Sequence, residues 1–190
     1  MLSGKKILLG ISGGIAVYKS CEIVSKLVSL NAEVIVIMTQ SAQKFVTSLT
    51  FETLSGKEVV SEMFPENKFV ATHHISLAQW ADLILIAPAT ANLIGKIRAG
   101  IADDILTTVI ISARSPIVIA PAMNVKMYEN QIVQENISYL KKLSYRFIDP
   151  EVGDLACREE GQGRLAEPEK IVEQVIKMLL PKQDFSGKKP

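Results

Sequence analysis

Ile117-Val118-Ile119-Ala120-Pro121-Ala122-Met123-Asn124 is the stretch on which the reading of this chain turns, with Met127 following shortly after it. The apolar run reads as a buried strand, and proline, which has no N–H to give to a ladder, ends it. Ala122, Met123 and Asn124 therefore fall at the strand's C-terminal edge, where open α/β sheets bind ligands. On local grounds alone, Asn124 is a helix N-cap and the two methionines are core filler. A polar amide between two flexible thioethers is equally the make-up of a binding site, and the rest of the chain bears on the choice.

Similar units flank this one. Residues 83–87 read as a strand stopped by Pro88, and Ala89-Thr90-Ala91-Asn92 is a small-residue turn opening a helix towards Arg98. Residues 6–11 form a strand stopped by Ser12-Gly13-Gly14, after which helical spacing runs over 15–30 and closes at Asn31. A buried strand at 33–38 leads into the cap-like Thr39-Gln40-Ser41, and 41–60 reads as helix interrupted at Gly56. Further helices are expected over 76–80, 103–112 and 129–143, and further strands over 116–120 and 145–148. Residues 61–72 show no clear element, and 168–180 make a last amphipathic helix with Pro168 in its first turn. Nearly all-apolar strands alternating with helices argue for a mostly parallel sheet covered on both faces. The expected fold is a three-layer α/β domain, flavodoxin-like or Rossmann-like, over residues 1–180.

At 190 residues the chain fits one domain, and 48% hydrophobic against 22% charged residues is a compact rather than a disordered composition. A formal net charge of +1, with Lys and Arg scattered, gives no electrostatic reason to expect nucleic acid. The longest apolar runs are strand-sized and the start lacks a signal-peptide core, so neither a membrane nor export is expected. Two cysteines cannot build a disulfide framework, which makes a reducing cytoplasm the expected location. Cys21, on the first helix, reads as a buried structural thiol. Ser186-Gly187-Lys188-Lys189 echoes Ser3-Gly4-Lys5-Lys6, so 181–190 reads either as a linker towards another α/β unit or as a frayed end.

Several groups carry chemistry. The Ser12-Gly13-Gly14 turn enters a helix and offers backbone N–H groups to a phosphate. The third glycine of the dinucleotide fingerprint is missing and no acidic residue is well placed after the second strand, which favours a mononucleotide. The strand ends carrying Thr39 and Ser41, Thr90 and Asn92, and Asn124 share one edge, a polar but uncharged lining suited to a flat heterocycle. No His/Cys/Asp cluster has metal-ligand spacing, and no nucleophile-elbow pattern is present. His73 and His74 precede a helical segment, where one can transfer a proton or serve as a cap. Asp103-Asp104 reads as a helix N-terminus. Residues 153–164 form a glycine-hinged loop, read as a lid or as disorder, that holds Cys157 and ends on Arg164, a residue able to hold a carboxylate or phosphate.

With these pieces assembled, the chain resembles the homo-oligomeric flavin-containing cysteine decarboxylases, nearest to the branch acting on 4′-phospho-N-pantothenoylcysteine in coenzyme A synthesis. The resemblance covers residues 7 to about 180. It rests on Ser12-Gly13-Gly14, His74-Ile75-Ser76-Leu77 with Trp80-Ala81-Asp82, Ala87-Pro88-Ala89-Thr90-Ala91-Asn92, Pro121-Ala122-Met123-Asn124 with Met127, and the Cys157 loop. It implies FMN held by Ser12, Gly13, Gly14, Thr39, Ser41, Thr90, Ala91, Asn92 and Leu93, with Ala122 beside the ring. It implies His74 as the active-site base, Asn124 as the holder of the substrate carboxylate and Cys157 as the proton donor. Met127, Ala156 and Arg164 complete the implied substrate contacts. The implied chemistry is oxidation of the substrate thiol to a thioaldehyde, loss of carbon dioxide, and protonation and reduction of the resulting enethiolate to 4′-phosphopantetheine.

The implied assembly is a homotrimer with flavin between protomers, four such trimers making a dodecamer in bacterial fusions to a synthetase, towards which 181–190 would lead. Arg158 stands where the family usually has glycine after the loop cysteine, and Ser76 where an acidic residue often follows the histidine. A peptidyl-cysteine decarboxylase shares the histidine and the Met-Asn motif. A non-catalytic flavin-binding regulatory subunit is the alternative from a different class.

Overall fold

The structure is a computed structural model, which describes residues 1–64, 73–154 and 160–180. Strands β1 (Lys6–Ile11), β2 (Glu33–Met38), β3 (Leu83–Ala89), β4 (Ile117–Pro121) and β5 (Arg146–Phe147) form one parallel sheet in the order β2-β1-β3-β4-β5. This is the flavodoxin-like order, and its direction reverses between β1 and β3. Helices α1 (Val17–Ser29), α2 (Ser48–Ser55), α3 (His73–Trp80), α4 (Ala91–Ala99), α5 (Ile105–Ser112), α6 (Val125–Glu129), α7 (Gln131–Lys142) and α8 (Pro168–Leu179) flank it. An antiparallel hairpin of β6 (Glu151–Asp154) and β7 (Glu160–Arg164) stands apart.

The strand pleat explains the three layers, because successive side chains face opposite sides. Ile7, Leu9 and Ile11 of β1, Leu83 and Leu85 of β3, and Val118 and Ala120 of β4 enter one core with α1, α8 and Phe51 of α2. Leu8, Ile84, Ile86, Ile117 and Ile119 enter the other, with α3, α4, α5 and α7. Gly10 lies on that second side, where a Cβ would come within 2.5 Å of Leu106 Cδ1, so its bareness seats α5 close to the sheet. Burial pushes the Cys21 thiol pKa up, as suits a structural thiol.

Three expectations need correction. Pro88 does not stop β3: the strand continues through it to Ala89, with a shift in its register to β4 between Ile86 and Ala89. The shift moves Ala89 onto the second core although its numbering parity matches the first. Residues 41–60 are not a helix broken only at Gly56: α2 covers Ser48–Ser55 and Val60 bridges Ile37 of β2, whereas the helix expected over 129–143 is α7, whose N-cap Asn130 accepts from the N–H of Ile132. The loop at 153–164 is in part the β6–β7 hairpin, whose period-2 signal is hidden by glycine and charge. Its residues 155–159, including Cys157 and Ala156, lie outside the described residues, as does 181–190. Pro121 is the last residue of β4, as its missing N–H requires. Among the described residues no helix is long and apolar enough to cross a membrane.

Asp104 shows how local chemistry sets a boundary near the ligand edge. Its carboxylate accepts from the N–H of Thr107 at 2.8 Å, and Thr107 Oγ1 accepts from the N–H of Asp104 at 3.2 Å, a reciprocal capping box. Asp104→Ala is expected to cost about 1 kcal/mol, read as a lower urea midpoint with unchanged slope; an unchanged midpoint contradicts the capping role.

Candidate active site

The turns after β1, β2, β3 and β4 gather where the strand order reverses. Ser12, 3% exposed, ties the first turn to the third: its hydroxyl donates to Pro88 O at 2.8 Å and accepts from the N–H of Thr90 at 2.9 Å. Ser20 of α1 donates to Ala87 O at 2.8 Å. Pro88 O also accepts from the backbone N–H of Ser12 at 3.2 Å, so main chain and hydroxyl together join the turns beside the β3 register shift. A Cβ on Gly13 would sit 2.4 Å from Ser41 Cβ and 2.7 Å from the Ser41 carbonyl carbon. Only glycine lets the first and second turns close on each other.

The remaining polar residues are held as caps. Thr39 Oγ1 accepts from the N–H of Ala42 at 3.2 Å, and Thr90 Oγ1 from that of Leu93 at 3.3 Å. Asn124 Oδ1 accepts from the N–H of Lys126 at 2.8 Å, so the capping reading of this residue holds. Among the described residues, the amides of Gly13, Gly14, Ile15 and Ala16 donate to no protein oxygen. They form a row of donors where α1 begins.

Two adjoining cavities open on this edge. One, of about 660 Å³, is bounded by Gly14, Thr90, Ala122, Asn124, Met127 and Arg164 among others. The other, of about 730 Å³, is bounded by Ser12, Thr39, Ser41, Asn92 and Leu93 among others, and Gly13, Thr90 and Met127 belong to both. Lys96 in the second cavity bonds Asp103 at 2.7 Å; this hydrogen bond raises the lysine pKa and lowers that of the carboxyl. Among the described residues no group of three His, Cys, Asp or Glu is placed to hold a metal ion.

Residues 1–180 match the family model described as Flavoprotein. The chain belongs to the flavoprotein family. The coenzyme A biosynthesis bifunctional protein CoaBC of Bacillus subtilis (strain 168) is 55% identical over 172 residues, covering 90% of this chain and 42% of that protein. The chain spans about half the length of the curated relatives it matches. A solved PPC decarboxylase mutant complexed with pantothenoylaminoethenethiol is 31% identical with a TM-score of 0.78, covering 90% of this chain and 96% of that one. The FMN-dependent cysteine decarboxylase SpaF is 27% identical with a TM-score of 0.76, covering 92% of this chain and 99% of that one.

In this flavoprotein the fold brings Ser12, Gly13, Gly14, Thr39, Ser41, Thr90, Asn92, Leu93, Ala122, Asn124, Met127 and Arg164 to one or both cavities. Ala91 lines neither and is the first residue of α4. His74 also lines neither. It is half-buried on α3, whose Leu77 and Ala78 pack into the second core.

Several lining residues carry no signal in the sequence that marks them for the site, Pro88 and Lys19 among them. Pro88 was read as a strand stop, although it borders the first cavity. Lys19 also borders it, four residues before Ile23 and within the buried stripe of α1. Ser12→Ala removes the hydroxyl donor to Pro88 O, which keeps the Ser12 N–H, and leaves the part-buried Thr90 N–H without its acceptor. The expected loss is about 2 kcal/mol in urea unfolding; a loss below about 0.5 kcal/mol contradicts the tie.

Proposed function

We propose that this chain is an FMN-dependent decarboxylase unit converting 4′-phospho-N-pantothenoylcysteine to 4′-phosphopantetheine in coenzyme A biosynthesis. One observation carries the reading. Asn124, Met127 and Ala122 line one cavity at the sheet's ligand edge, in a fold similar to that of PPC decarboxylase over almost its whole length, and this supports the reading. The edge suits FMN on its own chemistry: an amide row at Gly13–Ala16, hydroxyls at Thr39, Ser41 and Thr90, and a close approach of the first two turns that only a glycine at 13 allows. FMN, when bound, accepts and returns the hydride that lets a thiol carbon serve as an electron sink.

The chain's own residues do the rest. Asn124 holds the substrate carboxylate through its Nδ2 hydrogens, its Oδ1 being engaged in capping α6. A neutral amide positions the carboxylate without the ground-state stabilisation a cation would give, so loss of carbon dioxide is not opposed. His74 takes the thiol proton, and Cys157 protonates the enethiolate left after carbon dioxide departs. The hydride removed is restored, so the net change is replacement of the carboxylate by hydrogen.

The active form is a homotrimer, with twelve chains in a full-length bifunctional protein. His74 lies outside both cavities of the single chain, and the exposed Ile15, Tyr18 and Met127 border the first; both facts support a site completed by a second copy. Relatives of about twice this length support reading 1–180 as the decarboxylase unit and 181–190 as a linker towards a synthetase. Two cysteines in 190 residues suit a cytoplasmic location.

The FMN-loaded protein should release carbon dioxide from 4′-phospho-N-pantothenoylcysteine. Release only from peptides ending in cysteine would assign it to the peptidyl branch instead. Asn124→Asp faces the substrate carboxylate with a second one and should lower kcat/KM by about a hundredfold or more. Cys157→Ser should still release carbon dioxide but accumulate an unreduced product visible by mass spectrometry; full yield of 4′-phosphopantetheine contradicts the donor role.

A further inference from the structure

Lys19 and Arg164 are the charged residues that border the Asn124 cavity among the described residues. The Lys19 side chain is only 10% exposed, and its ammonium lies 3.2 Å from each oxygen of Glu167. Arg164 Nη2 donates to the same carboxylate at 2.7 Å. Two cations thus share one anion, and the cavity wall keeps an excess of positive charge. Burying an ammonium is costly, and an imperfectly neutralised one beside an open cavity is an anion site.

We propose that Lys19 and Arg164, bridged by Glu167, form the subsite for the substrate's 4′-phosphate and set the preference for phosphorylated over dephosphorylated substrate. This rests on the decarboxylase reading above. That substrate carries two anions, a carboxylate that must leave and a phosphate that stays. A cation on the leaving carboxylate would stabilise the ground state, so the carboxylate belongs with the neutral Asn124. The phosphate monoester, near two negative charges at neutral pH, matches a lysine point charge and an arginine fork. The phosphate of FMN would have other donors available in the amide row at Gly13–Ala16 and the hydroxyls of Thr39 and Ser41. Glu167, its side chain 46% exposed, can be taken over by water when phosphate enters.

The test compares kcat/KM for phosphorylated and dephosphorylated N-pantothenoylcysteine on the FMN-loaded protein. The wild type should favour the phosphorylated substrate by about tenfold or more. Lys19→Gln and Arg164→Gln should each erase most of that preference, chiefly by raising KM for the phosphorylated substrate. Arg164 is exposed, so its variant reports on the subsite even if the buried lysine variant folds poorly. Glu167→Gln frees both cations and should strengthen competitive inhibition by inorganic phosphate.

Equal losses on both substrates would assign the pair to the carboxylate or to structure and overturn the proposal. So would an unchanged preference accompanied by weaker FMN binding, which would assign the pair to the cofactor, or no change at all. Carbon dioxide release by the wild type from either substrate keeps the decarboxylase reading whatever the variants do; release from neither overturns both.

Discussion

The buried hydroxyl of Ser12 is the constraint on which the ligand edge depends. It joins the end of β1 to the end of β3 across the point where strand order reverses, using Pro88 O as acceptor and the Thr90 N–H as donor. A parallel sheet leaves its strand ends to the connecting turns, and those turns need a partner or solvent for every polar group. Beside the shift in the β3–β4 register, the Ser12 and Ser20 hydroxyls donate to Pro88 O and Ala87 O, and Pro88 O also accepts from the Ser12 N–H. Thr90 is thereby fixed as the cap of α4, and the first turn is drawn against the second so closely that residue 13 must be glycine.

From that arrangement follows a division of labour by charge. The wall made of turns and caps offers hydroxyls and amides, with its Lys96 paired to Asp103, and the donors there suit an aromatic cofactor with one phosphate. The wall made by α1, β7 and the start of α8 carries the excess of cations around Glu167. Asn124, a neutral amide, borders the same cavity. Under the proposed assignment the reacting anion would meet a neutral amide and the anion that is only recognised would meet cations, which is how differential binding favours the transition state.

Much of this was legible in the sequence because its signals are local. Apolar runs ended by proline or glycine marked the strands, and their nearly all-apolar make-up pointed to a sheet covered on both faces. The cap residues Thr39, Thr90 and Asn124 were visible because capping and strand ends coincide. Pro88 misled because a proline can occupy a strand's irregular end, where its missing N–H is not needed. The hairpin was hidden because a sequence such as Glu160-Gly161-Gln162-Gly163-Arg164 lacks β-branched residues. Gly161 and Gly163 are there because Val125 and Met123 O approach their backbone within what a Cβ would allow. Lys19 was missed because its partner, Glu167, lies 148 residues away and no local pattern predicts that pairing.

A crystal structure of the FMN-loaded protein tests the central claim most directly, that cofactor and substrate meet at the edge which Ser12 assembles. It should show the isoalloxazine ring against Ala122 and the Thr90–Leu93 turn, with the FMN phosphate on the amides that follow Ser12. A flavin bound away from this edge, or a protein that takes up no FMN, would contradict the account.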